Sequence, residues 1–251
     1  MTATVSLPRN GRLFPAFVII GWRWISRNPA VAIAPVLVPF LFLYFLRIIS
    51  PAYLFPGEII GAMLFTSQNI GNWVLGDSAT WRIQLALQDM FVASPLGKVQ
   101  YLFGIAVSNL MAALPAYVAL GIVLALSYPV PPMAWVFLAM AIIVLWLLFS
   151  AIGIAISSRI KSRREIWPVG NFVFTALGIL SPLYYPVSVL PPDLQKVAYF
   201  LPGTYAALFA KGGMGMVPVT SLELATYGLL LGGLAAVGIL ISVYLYRWRT
   251  A

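Results

Sequence analysis

The chain contains few side chains capable of acid–base or metal chemistry. Histidine and cysteine are both absent from its 251 residues. Their absence excludes thiol nucleophiles, histidine bases and Cys/His metal sites. The carboxylates of the chain are Glu58, Asp77, Asp89, Glu165, Asp193 and Glu223. We recognise no acid–base constellation among them, so we predict no catalytic residue, no metal site and no enzyme activity in this chain.

The chain also lacks a phosphate-binding loop of the form Gly-x-x-x-x-Gly-Lys-Ser/Thr. A glycine-rich stretch does occur at residues 212–215, but the lysine of the motif does not follow it. We predict a flexible connector there, and we expect no cofactor to be bound by this chain.

A stripe of amides lies within the uncharged run 59–76. Gln68, Asn69 and Asn72 share one face at helical spacing. Uncharged amides in a bilayer need hydrogen-bond partners, so this face is expected to point into a helix bundle, towards another subunit or into a pore. Interhelical packing and the lining of a transport pathway both remain open for these three residues.

The segment 77–98 contains a candidate docking element between two apolar runs. Its first part, 81–91, fits a short amphipathic helix that ends before the next apolar run. Such a helix favours docking of a soluble partner, and a solvated connector is the alternative. The residues singled out here are Trp81, Arg82, Gln88, Asp89 and Pro95.

The segment 181–202 is apolar and aromatic, and several prolines interrupt it. Irregular backbone at membrane depth must be covered by protein or line a cavity. We therefore predict a re-entrant turn followed by a short outer helix, with an interfacial aromatic belt as the alternative for the tyrosines. The residues singled out here are Pro182, Tyr184, Tyr185, Pro186 and Pro191.

The composition requires these segments to lie in a membrane protein. Hydrophobic residues make up 62% of the chain and charged residues 8%, with a mean hydropathy of +0.97. Soluble proteins have about 45–50% apolar and about 25% charged residues. The net charge of +9 fits basic cytoplasmic loops. Nucleic-acid binding is not expected, because no basic stripe with interleaved aromatics lies outside the apolar runs.

Uncharged runs between ionisable residues predict six membrane spans, since a spanning helix needs about 20 apolar residues. The predicted spans are 28–46, 59–76, 99–126, 133–158, 166–183 and 224–246. The third and fourth form a hairpin, because Pro129, Pro131 and Pro132 interrupt an uncharged run too long for one helix. Every ionisable side chain lies at or near the end of a span or in a loop, which disfavours ion coupling.

The basic residues predict the orientation of the chain. With the N-terminus inside, 12 of the 15 lysines and arginines fall on the cytoplasmic side, so both termini are expected to be cytoplasmic. Residues 1–27 are predicted to form a tail and an interfacial helix, because Arg12, Arg23 and Arg27 lie within about 60° on a helical wheel. A frayed extension of the first span is the alternative.

Together these features resemble the ABC type 2 transporter permeases. The most specific parts are Ala-Ser-Pro-Leu-Gly-Lys at 93–98 and Ser-Pro-Leu-Tyr-Tyr-Pro at 181–186, followed by Leu-Pro at 190–191. The family often carries acidic residues where this chain has Thr-Trp-Arg-Ile-Gln at 80–84. The resemblance covers nearly the whole chain and implies a single transmembrane permease domain over 1–251.

The resemblance also implies partners and roles. Residues 81–95 would couple to a separate cytoplasmic ATPase subunit, which would hold ATP and Mg, and residues 182–202 would form an outer gate. A second permease copy, identical or related, would complete the pathway in a prokaryotic plasma membrane. The expected function is export of an amphipathic or lipid-like substrate driven by ATP hydrolysis. A gradient-driven secondary carrier or channel is the alternative.

Overall fold

The computed structural model describes residues 14–27, 29–85, 87–94, 96–246 and 248. Over these residues the regular structure is entirely helical, as predicted. The helices are α1 Phe14–Arg27, α2 Pro29–Ile49, α3 Phe55–Ile83, α4 Leu87–Val92, α5 Lys98–Ser127, α6 Pro132–Ser157, α7 Ile166–Leu180, α8 Pro192–Ala198, α9 Pro202–Gly213 and α10 Ser221–Leu245. Short 3₁₀ turns lie at Ala52–Leu54, Arg163–Glu165 and Val187–Val189.

Three helices in the described parts of the chain are long and apolar enough to cross a membrane, namely α5, α6 and α10. The segment Val36–Ile49 of α2 is apolar but shorter. A break separates α5 from α6, and α6 begins at Pro132, because proline is tolerated in the first turn of a helix. The chain is therefore a helical membrane protein. The number of six spans stays a prediction.

Helix α3 lies at the centre of the structure. It packs against α2, α5, α6, α7 and α9, and it is buried along most of its length. Polar side chains are buried in it alongside apolar ones, and examples are Ser67, Gln68 and Ser78. A helix of this composition is stable in an apolar surrounding only when neighbouring helices supply hydrogen-bond partners.

The contact between α3 and α6 depends on two glycines. A Cβ atom added to Gly153 would collide with the carbonyl oxygen of Gly71, and one added to Gly71 would lie 2.5 Å from the carbonyl oxygen of Phe149. The two helix backbones therefore touch directly, as small residues allow at helix interfaces in membranes.

The prediction of a helix beginning near residue 81 was wrong. Helix α3 continues to Ile83, so Trp81 and Arg82 belong to its last turn, and the separate short helix α4 covers only Leu87–Val92. Asp77 does not end α3, because its half-buried carboxylate accepts a hydrogen bond of 2.8 Å from Asn109 of α5.

Helix α1 packs across α5. Phe17 is buried there, and a Cβ atom added to Gly21 would lie 2.7 Å from the carbonyl oxygen of Ser108. The opposite face carries Trp22, which is largely exposed. Residues 1–13, including Arg12, lie outside the described residues. The interfacial position of this helix stays a prediction.

The glycine contact can be tested by adding a single methyl group. We expect Gly153→Ala to lower the free energy of unfolding by about 1–3 kcal/mol, because α3 and α6 must move apart. The control is Gly232→Ala in α10, where an added Cβ atom meets nothing within 4 Å. That change should be neutral or stabilise the protein by up to about 1 kcal/mol. Equilibrium unfolding in mixed micelles measures both, and equal effects would contradict the contact.

Candidate functional site

Candidate functional residues lie at both ends of the central helix α3 and between them. Glu58 and Arg82 lie near its opposite ends, so about 36 Å separates them at about 1.5 Å per residue. We call the end around Arg82 the arginine end. The end that contains Glu58 and the segment 181–202 is called the proline-rich end.

At the arginine end, Arg82 binds the end of α6. Its guanidinium donates to the carbonyl oxygens of Ser157, of Ser158 at 3.4 Å and of Ile160 at 2.8 Å. The last carbonyls of a helix lack partners within the helix and carry its partial negative charge. Arg82 therefore caps α6 from α3.

Gln88 ties the short helix α4 to the end of α10. The hydroxyl of Tyr246 donates to Oε1 of Gln88 at 2.8 Å, and Nε2 of Gln88 donates to the carbonyl oxygen of Trp248 at 3.1 Å. Ser78 of α3 donates to the Tyr246 hydroxyl at 3.4 Å. Because Gln88 is 2% exposed, this link lies inside the protein.

An aromatic cluster surrounds this link. The ring of Phe91 in α4 lies 6.1 Å from that of Trp81 and 5.3 Å from that of Tyr101 in α5. Phe17 of α1 stacks on Phe91 at 5.7 Å, and Trp248 lies 5.1 Å from Tyr101. The cluster therefore joins α4 to α1, α3, α5 and the residues after α10.

The structure brings together Trp81, Arg82 and Gln88, whereas Asp89 lies on the surface next to Met90, which is 68% exposed. Pro95 lies outside the described residues. Sequence analysis missed Tyr101 and Tyr246, because an aromatic residue near the end of an apolar run also fits an interfacial belt.

The predicted amide stripe faces α7. Nδ2 of Asn72 donates to Oδ1 of Asn171 at 2.8 Å, and Nε2 of Gln68 donates to the carbonyl oxygen of Phe174 at 3.4 Å. Asn69 is half-buried and forms no side-chain hydrogen bond with another described residue. Gln68 and Asn72 thus join α3 to α7, although Oε1 of Gln68 and Oδ1 of Asn72 are buried without a partner in the described chain.

Four of the five residues predicted in the segment 181–202 surround one cavity at the proline-rich end. The cavity has a volume of about 370 Å³. The four residues are Pro182, Tyr184, Tyr185 and Pro186. Pro191 instead precedes α8 and is exposed. The re-entrant course of this segment stays a prediction.

A second cavity of about 260 Å³ lies beside the first and is lined by residues of α2, α3 and α7. Tyr184 and Tyr185 line both cavities. The Tyr184 ring packs edge-on against Phe42 at 4.6 Å, and the Tyr185 hydroxyl donates to the carbonyl oxygen of Ile179 at 3.2 Å. The two tyrosines therefore lie at the border that the two cavities share.

Sequence analysis missed a buried charge in this region. Lys211 of α9 is 9% exposed and lines the first cavity, and its Nζ donates to the carbonyl oxygen of Leu183 at 2.7 Å. Glu58 is 2% exposed, and its Oε2 has no hydrogen-bond partner within the described residues. Burial lowers the pKa of Lys211 from 10.5 to about 8, and the nearby Glu58 carboxylate opposes this effect.

The positions of these two residues in the sequence suggested exposure. Glu58 marked the boundary of a span, and Lys211 preceded a stretch predicted to be a flexible connector. That stretch is in part helical, because α9 continues to Gly213, and only Gly215 adopts a positive φ of 72°. Glu58, at the boundary of a predicted span, is therefore buried in this fold.

The model of the family described as ABC-2 type transporter matches residues 12–208. The chain belongs to the ABC-2 type transporter family. It is also similar to the inner membrane transport permease YadH of Escherichia coli K12, with 29% identity over 116 residues, which are 46% of this chain and 42% of that protein. YadH of Shigella flexneri matches with the same figures. The match spans less than half the length of these relatives.

The cap on α6 can be tested by removing the guanidinium. We expect Arg82→Met to lower the free energy of unfolding by about 1–3 kcal/mol, because buried carbonyls lose their donors. The control is Arg159→Met, which removes an exposed charge close to the same helix end. Equilibrium unfolding in mixed micelles compares the two, and equal stabilities would contradict the cap.

The burial of Lys211 predicts a pH dependence of stability. Lys211 lies outside the six predicted spans. Between pH 8 and 10.5 its side chain is protonated in the unfolded chain and deprotonated in the folded chain. Stability therefore rises with pH in this window. We expect the free energy of unfolding to increase by about 2 kcal/mol from about pH 7.5 to about pH 9.5.

This increase should disappear in Lys211→Met and persist in Lys196→Met, because Lys196 is exposed. Equilibrium unfolding of the three proteins at both pH values measures the effect. The same rise in Lys211→Met as in the unaltered protein would show that another group causes it.

Proposed function

We propose that the chain is the membrane-spanning permease subunit of an ABC exporter. It moves an amphipathic or lipid-like substrate outward, and a separate subunit hydrolyses the ATP that drives this movement. Membership of the ABC-2 type transporter family supports the proposal. The observation that carries it is the buried Gln88, which links an exposed short helix to the last long helix of the chain.

In this proposal the arginine end is cytoplasmic. Helices α2, α3, α5, α6, α7 and α10 are the six spans, both termini are inside, and the segment 181–202 re-enters the membrane from the outside. The distribution of lysines and arginines supports this orientation. Four basic residues lie between α6 and α7, namely Arg159, Lys161, Arg163 and Arg164.

The ATPase subunit docks on α4 and holds ATP and Mg. Asp89 and Met90 form the exposed part of this helix, whereas Gln88 and Phe91 face the aromatic cluster. A displacement of α4 reaches α10 through Tyr246. It also reaches α3, which Arg82 joins to α6. Rigid helices joined in this way move as bodies when the partner changes state.

The transport path lies between two permease copies, along α3 and α7 of each copy. It leads towards the proline-rich end. Gln68, Asn69 and Asn72 supply polar groups along it. The amide oxygens of Gln68 and Asn72, which are buried without partners in the described chain, reach a substrate only when α3 and α7 move apart. Tyr184 and Tyr185 close its outer part, where they line two adjoining cavities.

A gradient-driven carrier is the second candidate, because the structure buries Glu58 and Lys211 and half-buries Asp77. Buried ionisable groups in a membrane protein are typical of ion pathways. Vesicles without any ATPase separate the two functions. Movement of a substrate along an imposed proton or sodium gradient in such vesicles would favour the carrier.

We expect Asp89→Ala to weaken binding of the ATPase subunit, because this carboxylate lies on the exposed part of the docking helix. Purification in mild detergent from the native host, followed by mass spectrometry, measures how much of a subunit with a phosphate-binding loop is retained. Asp193→Ala, at the opposite end and fully exposed, is the control. Equal retention by both variants would contradict docking through Asp89.

Gln88→Ala should leave the ATPase bound but uncouple it. We expect its stimulation by the permease to fall about fivefold or more, the range of typical coupling energies. Tyr246→Phe removes only the hydrogen bond from Tyr246 to Gln88 and keeps the one from Gln88 to Trp248, so it should give part of this loss, and the double variant should be no worse than Gln88→Ala alone. Additive losses would exclude transmission through this bond.

A further inference from the structure

The first cavity at the proline-rich end contains a cation with unused hydrogen-bonding capacity. An ammonium group has three donors. Lys211 uses one of them on the carbonyl oxygen of Leu183, and it makes no other hydrogen bond and no ion pair within the described residues. A buried ammonium group with unused donors costs free energy unless a ligand supplies hydrogen-bond acceptors and negative charge.

The rest of this cavity has few polar side chains. Its lining is mostly apolar or aromatic, and its volume of about 370 Å³ lies in the range of small-molecule sites. The cavity reaches the surface, because the lining residues Tyr53 and Ser188 are exposed. An apolar pocket with one buried charge suits a ligand that is apolar apart from one charged group.

The second cavity extends this apolar surface. It shares Tyr184 and Tyr185 with the first, and its other lining residues are apolar. Val38 and Ile179 line it and are 53% and 68% exposed on the outside of the chain, where the bilayer would lie. An alkyl chain can therefore pack on the tyrosines of the first cavity and reach the second.

Glu58 limits the charge that the site accepts. Its carboxylate lies near enough to Lys211 to favour the charged ammonium, but it lines neither cavity. An anionic group in the first cavity therefore meets the lysine directly, whereas Glu58 does not line the cavity. Lys211 stabilises the anionic group there, and the Glu58 carboxylate reduces this stabilisation.

We propose that the two cavities form one binding site for an amphiphile with a single anionic headgroup, a carboxylate or a phosphate. The headgroup binds Lys211, and the apolar chain packs against Tyr184 and Tyr185 and extends into the second cavity. This inference rests on the proposed function. It adds the charge of the exported amphiphile and its binding site near the outer side of the membrane.

Binding can be measured without an ATPase, so a failure of this inference is distinct from a failure of the proposed function. The chain is placed in phosphatidylcholine nanodiscs, and binding of radiolabelled dodecanoate is followed to saturation. Unlabelled dodecyl phosphate should displace it, because both headgroups accept charge-assisted hydrogen bonds. Dodecyltrimethylammonium should not displace it. Equal displacement by the cationic amphiphile would overturn the proposal.

Substitutions at Lys211 provide the decisive comparison. We expect Lys211→Met to weaken dodecanoate binding about tenfold or more. Lys211→Arg should stay within about threefold of the unaltered protein, because the charge is kept. Lys196→Met, which removes an exposed charge at the same end, should bind normally. Unchanged affinity in Lys211→Met would overturn the proposal.

A further variant keeps the proposal testable if Lys211→Met does not fold. Ser188→Trp fills the first cavity from an exposed lining position and leaves the buried charge intact. It should abolish saturable binding, and normal binding would overturn the proposal.

Nanodiscs that also contain phosphatidic acid distinguish two sources of the ligand. Displacement of dodecanoate assigns the site to a membrane lipid, and retention assigns it to a soluble amphiphile.

Discussion

The buried polar side chains of α3 constrain the rest of the structure, because lipid offers them no hydrogen-bond partner. Tyr117 of α5 meets Ser67 at 2.8 Å, Asn171 of α7 meets Asn72, and Ser157 of α6 meets Ser78 at 3.1 Å. Helices α5, α6 and α7 are thus each tied to α3 by at least one polar contact. The apolar helices around α3 can then expose their outer faces to lipid.

The central helix also joins the two ends mechanically. Arg82 binds the end of α6 at one end, and Glu58 lies beside the cavity region at the other. Since α3 has no internal break, a tilt imposed at the arginine end moves Glu58 as well. One continuous helix therefore connects the contacts of Arg82 with the surroundings of Lys211.

The sequence predicted much of the fold but only part of the candidate site. Long apolar runs locate α5, α6 and α10, because continuous hydrophobicity is sufficient to identify such helices. The end of α3 could not be located from Asp77, because its carboxylate is accommodated by Asn109, which is distant in sequence. An ionisable residue marks the end of a span only when no partner reaches it.

Contacts between residues distant in sequence also limited the prediction at the proline-rich end. For the segment 181–202 the sequence left open coverage by protein or the lining of a cavity, and four of the five residues singled out line one. Lys211 was not predicted, because its burial depends on the packing of α9 against α3 and α6. Likewise, no sequence pattern connects Gln88 with Tyr246, since their contact joins residues far apart in the chain.

The cap formed by Arg82 has a consequence for the order of synthesis. Arg82 leaves the ribosome well before Ser157 and Ile160, whose carbonyls it binds. The hairpin of α5 and α6 must be synthesised before Arg82 can bind these carbonyls. Gln88 can bind Tyr246 only later, because Tyr246 follows α10. Helix α3 therefore completes its polar contacts only after α10 has been synthesised. A truncated chain would retain hydrogen-bond donors without partners. Such donors would distinguish it from the complete chain for quality-control proteases.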